Sequence, residues 1–187
     1  IVHTRTVTAQ RPADAPRFQV DPQWPKPLPH GWVMGQAGGV AGERHDHVWL
    51  IRRPRPTTGG TAAPPVLVCD ADGNLLRSWG GPGAGYDWPL TEHGMFVDHQ
   101  DFVWIAGSGQ KDHQILKFTA AGKFLLQIGK AGVTGGDGDT AHLGSPANVS
   151  VDPATNEVFV GDGYKNDRVI VLDAQTGAYK RHCAQER

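Results

Sequence analysis

The chain has 187 residues, a net charge of −1 at pH 7 and nine histidines, so it presents no basic field that would attract nucleic acid or an anionic membrane. No apolar run approaches the roughly 18 residues that a membrane-spanning helix needs. The sequence contains 25 glycines and 14 prolines, and its short apolar runs are bounded by turn-forming residues. This composition indicates an all-β protein.

The first part of the chain differs from the rest. Residues 1–17 are polar and contain proline, and we expect them to be a disordered lead-in. Residues 18–37 carry four closely spaced prolines, which argue against the interior of a sheet because proline cannot donate a ladder hydrogen bond. We therefore predict a proline-rich arm that lies across the following domain and packs through Trp24 and Trp32.

Beyond residue 37 the sequence repeats. Two apolar runs separated by a short polar turn occur three times, which is the pattern of a β-hairpin. The large aromatic residues of the second run, Trp49, Trp104 and Phe159, follow one another at steps of 55 residues. Each copy is followed by a second hairpin with a glycine in its turn, at Gly73, Gly122 and Gly177. Self-similarity at a fixed period indicates a repeat architecture.

Two hairpins per repeat make four strands, which is the construction of a β-propeller blade. The blades are predicted at about 38–80, 93–129 and 146–182, within a propeller region of 38–187. The fold expected is therefore all-β, a β-propeller with three four-stranded blades.

Expectations also follow for one loop, for the two cysteines and for a glycosylation sequon. The glycine-rich loop 130–145 is predicted to be mobile, and its two aspartates lack the rest of a calcium loop. Cys69 and Cys183 are single cysteines without a paired spacing, and we expect them to be unpaired. Asn148 begins a glycosylation sequon, but because it opens a predicted inner strand we expect it to be buried and unmodified.

Five segments together carry a resemblance to a known family. They are VDPQWPKPLPHGW, GGVAGERHDHVWLIRRP, GGPGAGYDWPLTEHGMFVDHQDFVWIAG, DHQILKFTAAGKFLLQIGK and VDPATNEVFVGDGYKNDRVIVLDAQTGAYKRH. The chain resembles the NHL-type six-bladed propellers, and more closely the peptidyl-α-hydroxyglycine α-amidating lyases and their bacterial relatives. The resemblance implies a lyase that splits a C-terminal α-hydroxyglycine from a peptide and releases the peptide amide and glyoxylate. It also implies a site at one end of the channel, with a zinc held by three histidines, a structural calcium, and arginine and tyrosine side chains.

His93, in EHGM, matches the first zinc histidine of that family, which precedes the inner strand of its blade. Inner strands line the channel, so a residue at the start of one points to the channel mouth. Imidazole nitrogen suits zinc, and three protein ligands leave a position open for substrate or water. The resemblance therefore makes His93 a candidate zinc ligand, and the alternative is a histidine that caps the start of the strand.

Arg53, in LIRRP, matches the catalytic arginine of the family, and its guanidinium would hold the substrate carboxylate through a two-pronged ion pair. Arg52 and Arg55 are neighbouring alternatives, and such a run is commonly a solvated loop. Tyr164, in DGYKNDR, matches the tyrosine that acts as base toward the substrate hydroxyl. That role needs a nearby cation, because a phenol ordinarily ionises only near pH ~10. The alternative is a turn tyrosine packed on its own blade.

The resemblance also implies a calcium ion bound by the backbone carbonyls of Val40 and Met95. Zinc and calcium are thus the cofactors it implies, and a peptide or small-molecule substrate at the channel mouth is the partner. It further implies an extracellular or periplasmic location.

The sequence departs from the family in its number of blades. A ring of six blades needs about 330 residues at this period, and the chain holds three. The second and third zinc histidines, the calcium aspartate and a further arginine of the family lie in later blades, and His113, His142 and His182 do not match them. We therefore expect this chain alone to be inactive. Open blade edges favour self-association, so an open arc, a dimer of halves and a fragment of a longer product are all compatible with the sequence.

Two other functions stay open. One is a non-catalytic NHL propeller that binds a peptide or protein on its rim. The other is a hydrolase or lactonase of the calcium-dependent propeller type, which requires acidic side chains at the starts of several inner strands. Those starts, in register, are Gly38, His93 and Asn148, so this alternative ranks below the other two.

Overall fold

The structure, a computed structural model, describes residues 16–53 and 59–184. Nearly all of the predicted lead-in at 1–17 therefore lies outside the described residues. One 3-10 turn, Pro29–Gly31, precedes the first strand. The strands are β1 (Trp32–Val33), β2 (Gln36–Gly42), β3 (Val48–Arg53), β4 (Thr61–Ala62), β5 (Val66–Cys69), β6 (Leu75–Trp79), β7 (Glu92–Val97), β8 (Phe102–Gly107), β9 (Gln114–Thr119), β10 (Phe124–Gly129), β11 (Asn148–Asp152), β12 (Glu157–Asp162), β13 (Arg168–Asp173) and β14 (Tyr179–Ala184).

Twelve of these strands form three four-stranded antiparallel sheets. The strand orders are β2-β3-β5-β6, β7-β8-β9-β10 and β11-β12-β13-β14, so consecutive strands of each sheet are neighbours. We call these sheets blades 1, 2 and 3. The predicted all-β fold with three four-stranded propeller blades is confirmed.

The blades stack face to face through apolar side chains that alternate along each strand. Trp49, Ile51, Val66 and Val68 of blade 1 share one core with apolar residues of blade 2. A second core joins blade 2 to blade 3 and contains Trp104. Trp49 and Trp104, which the sequence places 55 residues apart, are thus the large aromatic residues with which one blade packs onto the next.

The turn between β7 and β8 shows how the hairpins are closed. One carboxylate oxygen of Asp98 accepts hydrogen bonds from the backbone N–H groups of Gln100 and Phe102, both at 2.9 Å. The other oxygen accepts the indole N–H of Trp104, also at 2.9 Å. A single buried carboxylate therefore satisfies both the turn and the aromatic side chain that packs on the next blade.

The proline-rich arm covers the face of blade 1 that is turned away from blade 2. Trp24 and Trp32 pack against a small core that contains Leu50 and Leu67, which alternate with the residues that face blade 2. The backbone N–H of Lys26 donates to Gly73 O at 3.0 Å. The arm therefore takes the place that a preceding blade would occupy, as a capping segment does in repeat proteins.

The loop 130–145 is anchored, although its length and glycine content predict a mobile segment. Arg168 and Asp162 form a fully buried ion pair, with Nε and Oδ2 2.9 Å apart. The remaining guanidinium nitrogens of Arg168 donate to the carbonyl oxygens of Asp137, Asp139 and His142. A buried cation needs several acceptors, and this loop supplies them.

Both cysteines are free, as predicted, with Cys69 buried and Cys183 exposed. The expectation that Asn148 is buried is wrong. Asn148 is exposed because it faces the groove that the inner strands β2, β7 and β11 line, and not the core between two blades. Within the described ranges, no helix reaches the length and apolarity that crossing a bilayer requires.

Candidate functional site at the channel mouth

The three inner strands β2, β7 and β11 lie side by side and line a groove of about 540 Å³. They approach closely because glycines stand where they meet. A Cβ atom at Gly39 would lie 2.6 Å from His93 O, and one at Gly94 would lie 2.6 Å from Ala147 O. All three strands begin at the same end of the groove, which is the channel mouth. Residues at the starts of the strands therefore meet there.

His93 lies at this end with both imidazole nitrogens engaged. Nδ1 is 2.9 Å from Ala147 O, which can only accept, so Nδ1 carries the proton. Nε2 therefore presents its lone pair, and the Tyr164 hydroxyl, 2.9 Å away, donates to it. An imidazole whose Nδ1–H is held by a carbonyl oxygen has the tautomer and orientation of a metal-ligating histidine.

Tyr164 comes from the segment that follows β12 in blade 3. The residue is 57% exposed, and its ring meets the imidazole of His93 edge-on, with centroids 5.5 Å apart and an angle of 71°. The alternative of a turn tyrosine packed on its own blade does not describe this contact, since the partner belongs to blade 2. The structure brings Tyr164 and His93 together.

Arg53, at the end of β3, reaches the same place. Its Nε donates to Glu92 O at 2.8 Å, which is the carbonyl directly before His93. Arg52, by contrast, is buried and donates to the carbonyl oxygens of Ala63 and Arg53. Burial lowers the pKa of Arg52, against the raising effect of the charge on Glu92. Arg55 lies outside the described residues. Arg53 is thus the arginine that the described structure places at the channel mouth.

Glu92 is a residue that the sequence analysis does not single out. Its carboxylate is buried, and Oε1 accepts the indole N–H of Trp88 at 2.8 Å. Burial raises the pKa of Glu92. Its backbone carbonyl joins Arg53 to the strand that carries His93. The adjacency of Glu92 to His93 in the sequence is the one signal that could have indicated it.

Val40 and Met95, the residues predicted to bind calcium through their carbonyls, lie in the walls of the same groove. Val40 is on β2 and Met95 on the neighbouring β7. The Met95 side chain is buried between blades 1 and 2, while Val40 is exposed. The structure therefore places the two residues on adjacent inner strands, and calcium binding by them stays a prediction.

The other histidines near the blades have local partners. His113 is buried, and its Nδ1 accepts the backbone N–H of Ser145 at 3.0 Å. Burial, with a smaller contribution from the Lys165 charge, lowers the pKa of His113. His142 contacts Asp139, and no group of three ligating side chains that includes His93 forms among the described residues. The described part of the chain therefore does not assemble a three-ligand metal group around His93.

The sequence was compared with known proteins. No family model matches it. Mouse NHL repeat-containing protein 3 is 32% identical over 165 residues, which cover 84% of this chain and 43% of that protein. Mouse peptidyl-glycine alpha-amidating monooxygenase is 27% identical over 196 residues, covering 89% of this chain and 19% of that protein. A probable peptidyl-alpha-hydroxyglycine alpha-amidating lyase of Caenorhabditis elegans is 33% identical over 84 residues, covering 44% and 23%.

Solved structures show the same kind of fold. The crystal structure of a nidogen/laminin complex aligns with a TM-score of 0.55 and 14% identity, covering 81% of this chain and 49% of that one. A streptogramin B lyase structure aligns with a TM-score of 0.51 and 13% identity, covering 82% and 42%. At these identities the likeness concerns the fold alone.

The resemblance to NHL-repeat and α-amidating proteins is confirmed, and the chain is a propeller domain. It spans less than half the length of each of the three relatives named here.

Proposed function

We propose that this propeller domain is of the peptidyl-α-hydroxyglycine α-amidating lyase type, with its reactive site at the channel mouth. One observation carries the proposal. Arg53 of blade 1, His93 of blade 2 and Tyr164 of blade 3 converge there, with Tyr164 and His93 2.9 Å apart and Arg53 bonded to the carbonyl next to His93. Each blade supplies one side chain. The arginine and the tyrosine suit the carboxylate and the hydroxyl of such a substrate, and the histidine suits a metal ion.

The substrate has a carboxylate, a hydroxyl and an amide nitrogen on one carbon atom. A guanidinium can hold a carboxylate through two parallel N–H donors, and Arg53 takes this role in the proposal. In the phenolate form that this role requires, stabilised by a nearby cation, Tyr164 accepts the proton of the substrate hydroxyl, so that the C–O bond becomes the carbonyl of glyoxylate. The C–N bond then breaks, and the amide nitrogen takes up a proton to give the peptide amide.

The residues at the mouth fit a metal ion in part. His93 Nε2 offers a lone pair with the correct tautomer, and zinc bound there would polarise the substrate oxygen and lower the cost of ionising a neighbouring hydroxyl. A zinc site of this kind has three protein ligands, and no group of three ligating side chains among the described residues includes His93. We therefore propose that further blades, on the same polypeptide or on another chain, complete the site, and that three blades alone do not catalyse the reaction.

Two further parts of the proposal rest on the resemblance and on position. The Val40 and Met95 carbonyls would be ligands of a structural calcium, since oxygen ligands suit that ion. An extracellular or periplasmic location follows from the same family resemblance.

Peptide binding tests the role of Arg53 without requiring catalysis. A peptide ending in α-hydroxyglycine should bind the chain at least about tenfold more tightly than the same peptide ending in an amide, because a charge-assisted pair contributes about 1.5–3 kcal/mol. Arg53→Gln should remove this preference in calorimetric titrations. Arg77→Gln, on the outer strand of the same blade, is the matched control and should keep it.

Two results would overturn the proposal. Equal affinity of the wild-type chain for both peptides would favour a non-catalytic propeller that binds peptides regardless of their terminal group. A preference that survives Arg53→Gln would place carboxylate recognition elsewhere.

A further inference from the structure

A second cluster of ligating side chains lies at the other end of the blades, away from the channel mouth. Glu43 and His45 stand in the turn between β2 and β3, and Asp101 stands in the turn between β7 and β8. One ligand atom from each residue lies within 4.8 Å of the others. The cluster therefore spans the contact between blades 1 and 2.

The blade 2 turn provides an internal comparison, since Asp98 lies 55 residues after Glu43 and holds its turn in the same way. Both carboxylates accept the backbone N–H groups two and four residues further on. Asp98 uses its second oxygen for the indole N–H of Trp104. The equivalent buried indole N–H, that of Trp49, has no hydrogen-bond partner among the described residues.

The Glu43 carboxylate is instead directed at imidazoles. Its Oε1 is 2.7 Å from His47 Nδ1 and its Oε2 is 3.9 Å from His45 Nε2. The Glu43 side chain is only 5% exposed. The Glu43 carboxylate therefore faces two histidines, and the buried indole N–H of Trp49 stays without an acceptor among the described residues. Because buried polar groups are normally paired, this difference from blade 2 indicates that Glu43 has another partner.

Asp101 completes the cluster from blade 2. Its Oδ2 is 3.8 Å from His45 Nε2. Its Oδ1 is buried and has no partner within the described part of the chain. Ligands about 2.1 Å from a tetrahedral ion lie about 3.4 Å from one another. The two distances to His45 Nε2 therefore exceed this spacing by about half an ångström or less, and the Glu43 and Asp101 oxygens, which lie within 4.8 Å of each other, would have to close by at most about 1.4 Å.

The guanidinium of Arg44 contacts two of the three ligand residues in this structure. Its Nη2 is 2.5 Å from Asp101 Oδ2, and its Nε donates to His45 Nε2 at 3.2 Å. Because His45 Nε2 accepts this bond, it presents a lone pair to the cluster. The Arg44 side chain is 62% exposed, so it can rotate into solvent and leave the three ligand atoms to another cation.

We propose that Glu43, His45 and Asp101 form a site for a divalent transition ion of the zinc type, distinct from the channel mouth. One imidazole nitrogen and two carboxylate oxygens suit zinc, whereas calcium takes six to eight oxygens. His47 is a positioning residue, since its Nδ1–H holds Glu43 Oε1 and leaves Oε2 to the ion. An ion at this site links the turns of blades 1 and 2 and stabilises their contact.

Zinc titration of a His93→Ala chain tests this site without any contribution from the channel mouth. We expect one zinc ion per chain by calorimetry, a rise in the midpoint of thermal unfolding with zinc, and no such rise with calcium or magnesium. Adding His45→Ala or Asp101→Asn should weaken zinc binding at least about tenfold, because each removes a ligand. Adding His47→Gln should weaken it less.

Two further variants control for indirect effects. His99→Ala removes an exposed histidine from the equivalent turn of blade 2 and should leave zinc binding unchanged. Arg44→Ala removes the competing cation and should keep or tighten it. Circular dichroism of each variant checks that the blades are folded.

The outcomes separate this site from the proposed function. If His93→Ala abolishes all zinc binding, or if folded His45→Ala and Asp101→Asn bind zinc as before, the second site does not exist. Zinc lost with His93→Ala alone would still support the channel-mouth proposal. Zinc lost only with His45→Ala would support the second site and would agree with a channel-mouth site that needs ligands from further blades.

Discussion

Glu157 on β12 of blade 3 forms an ion pair with residues of β14, a strand that does not pair with β12. Arg181 on β14 donates two hydrogen bonds to its carboxylate, at 2.9 and 2.7 Å, across the intervening strand β13. Lys180 Nζ lies 3.3 Å from the same carboxylate. The Arg181 guanidinium, helped by Lys180, lowers the pKa of Glu157 from its ordinary 4.5 to about 2.

This lowered pKa predicts how stability depends on pH. Because the pKa is lower in the folded chain than in the unfolded one, the interaction contributes fully above about pH 4.5 and is lost as the pH falls toward 2. Arg181→Gln should therefore reduce the fall of the urea midpoint between pH 5 and pH 2.5 (roughly the titration window). Arg77→Gln, at the same register of blade 1, is the control. Identical pH profiles for wild type and Arg181→Gln would contradict the assignment.

Single residues differ in how far the sequence can predict them. His93, Arg53 and Tyr164 stand in recognisable motifs, so they could be named in advance. Arg168 could not be recognised as a buried anchor, because the carbonyl oxygens that accept from it lie 26–31 residues earlier in the chain. The sequence indicates only that Glu43 is an acidic residue in a turn, because Asp101, which lies beside it, belongs to another blade.

At the scale of elements, the inner strands depend on close backbone contact. β7 and β11 meet at Gly94, where a Cβ atom would lie 2.6 Å from Ala147 O and 3.0 Å from the Cα of Asn148. Ala147 O is also the acceptor for His93. The spacing of these strands therefore positions the channel mouth as well as the blades.

Gly94→Ala should force β7 and β11 apart. We expect a loss of about 1–3 kcal/mol in the free energy of unfolding, the usual cost of overpacking a close contact. Gly42→Ala, at the end of β2, is the matched control because a Cβ atom there meets nothing within 4 Å, and its effect should stay within about 0.5 kcal/mol. Urea denaturation measures both, and equal stability of the two variants would show that the strands can separate without cost.

At the scale of the whole molecule, the two outer blade faces differ. The arm covers the free face of blade 1 through Trp24 and Trp32. On blade 3, Phe159 stands where Trp49 and Trp104 pack against a following blade, and the Arg181 guanidinium lies 5.9 Å from its ring. Val169 on the same sheet is 45% exposed. Among the described residues, no further blade covers this face. Its shape and its exposed apolar side chains are suited to packing against another blade of the same kind.

We therefore expect this chain to self-associate through blade 3. Sedimentation velocity should show a mass that rises with concentration, and Val169→Asp should weaken the association because it buries a charge in the contact. Leu76→Asp is the matched control, since Leu76 has the same 45% exposure on the outer strand of blade 1. A monomer at all concentrations, or equal loss of association in both variants, would contradict a blade 3 contact.

The amino-acid sequence is enough to predict the blades, their four strands and the motifs that carry His93, Arg53 and Tyr164. Alternating apolar residues, turn glycines and a 55-residue period are local signals, so they can be read without knowing which parts of the chain meet. Only the folded chain shows which face of blade 1 the arm covers, that Tyr164 contacts a histidine 71 residues away, and that Glu43 lies beside Asp101. These contacts depend on how neighbouring blades pack, and no local pattern of residues encodes that arrangement.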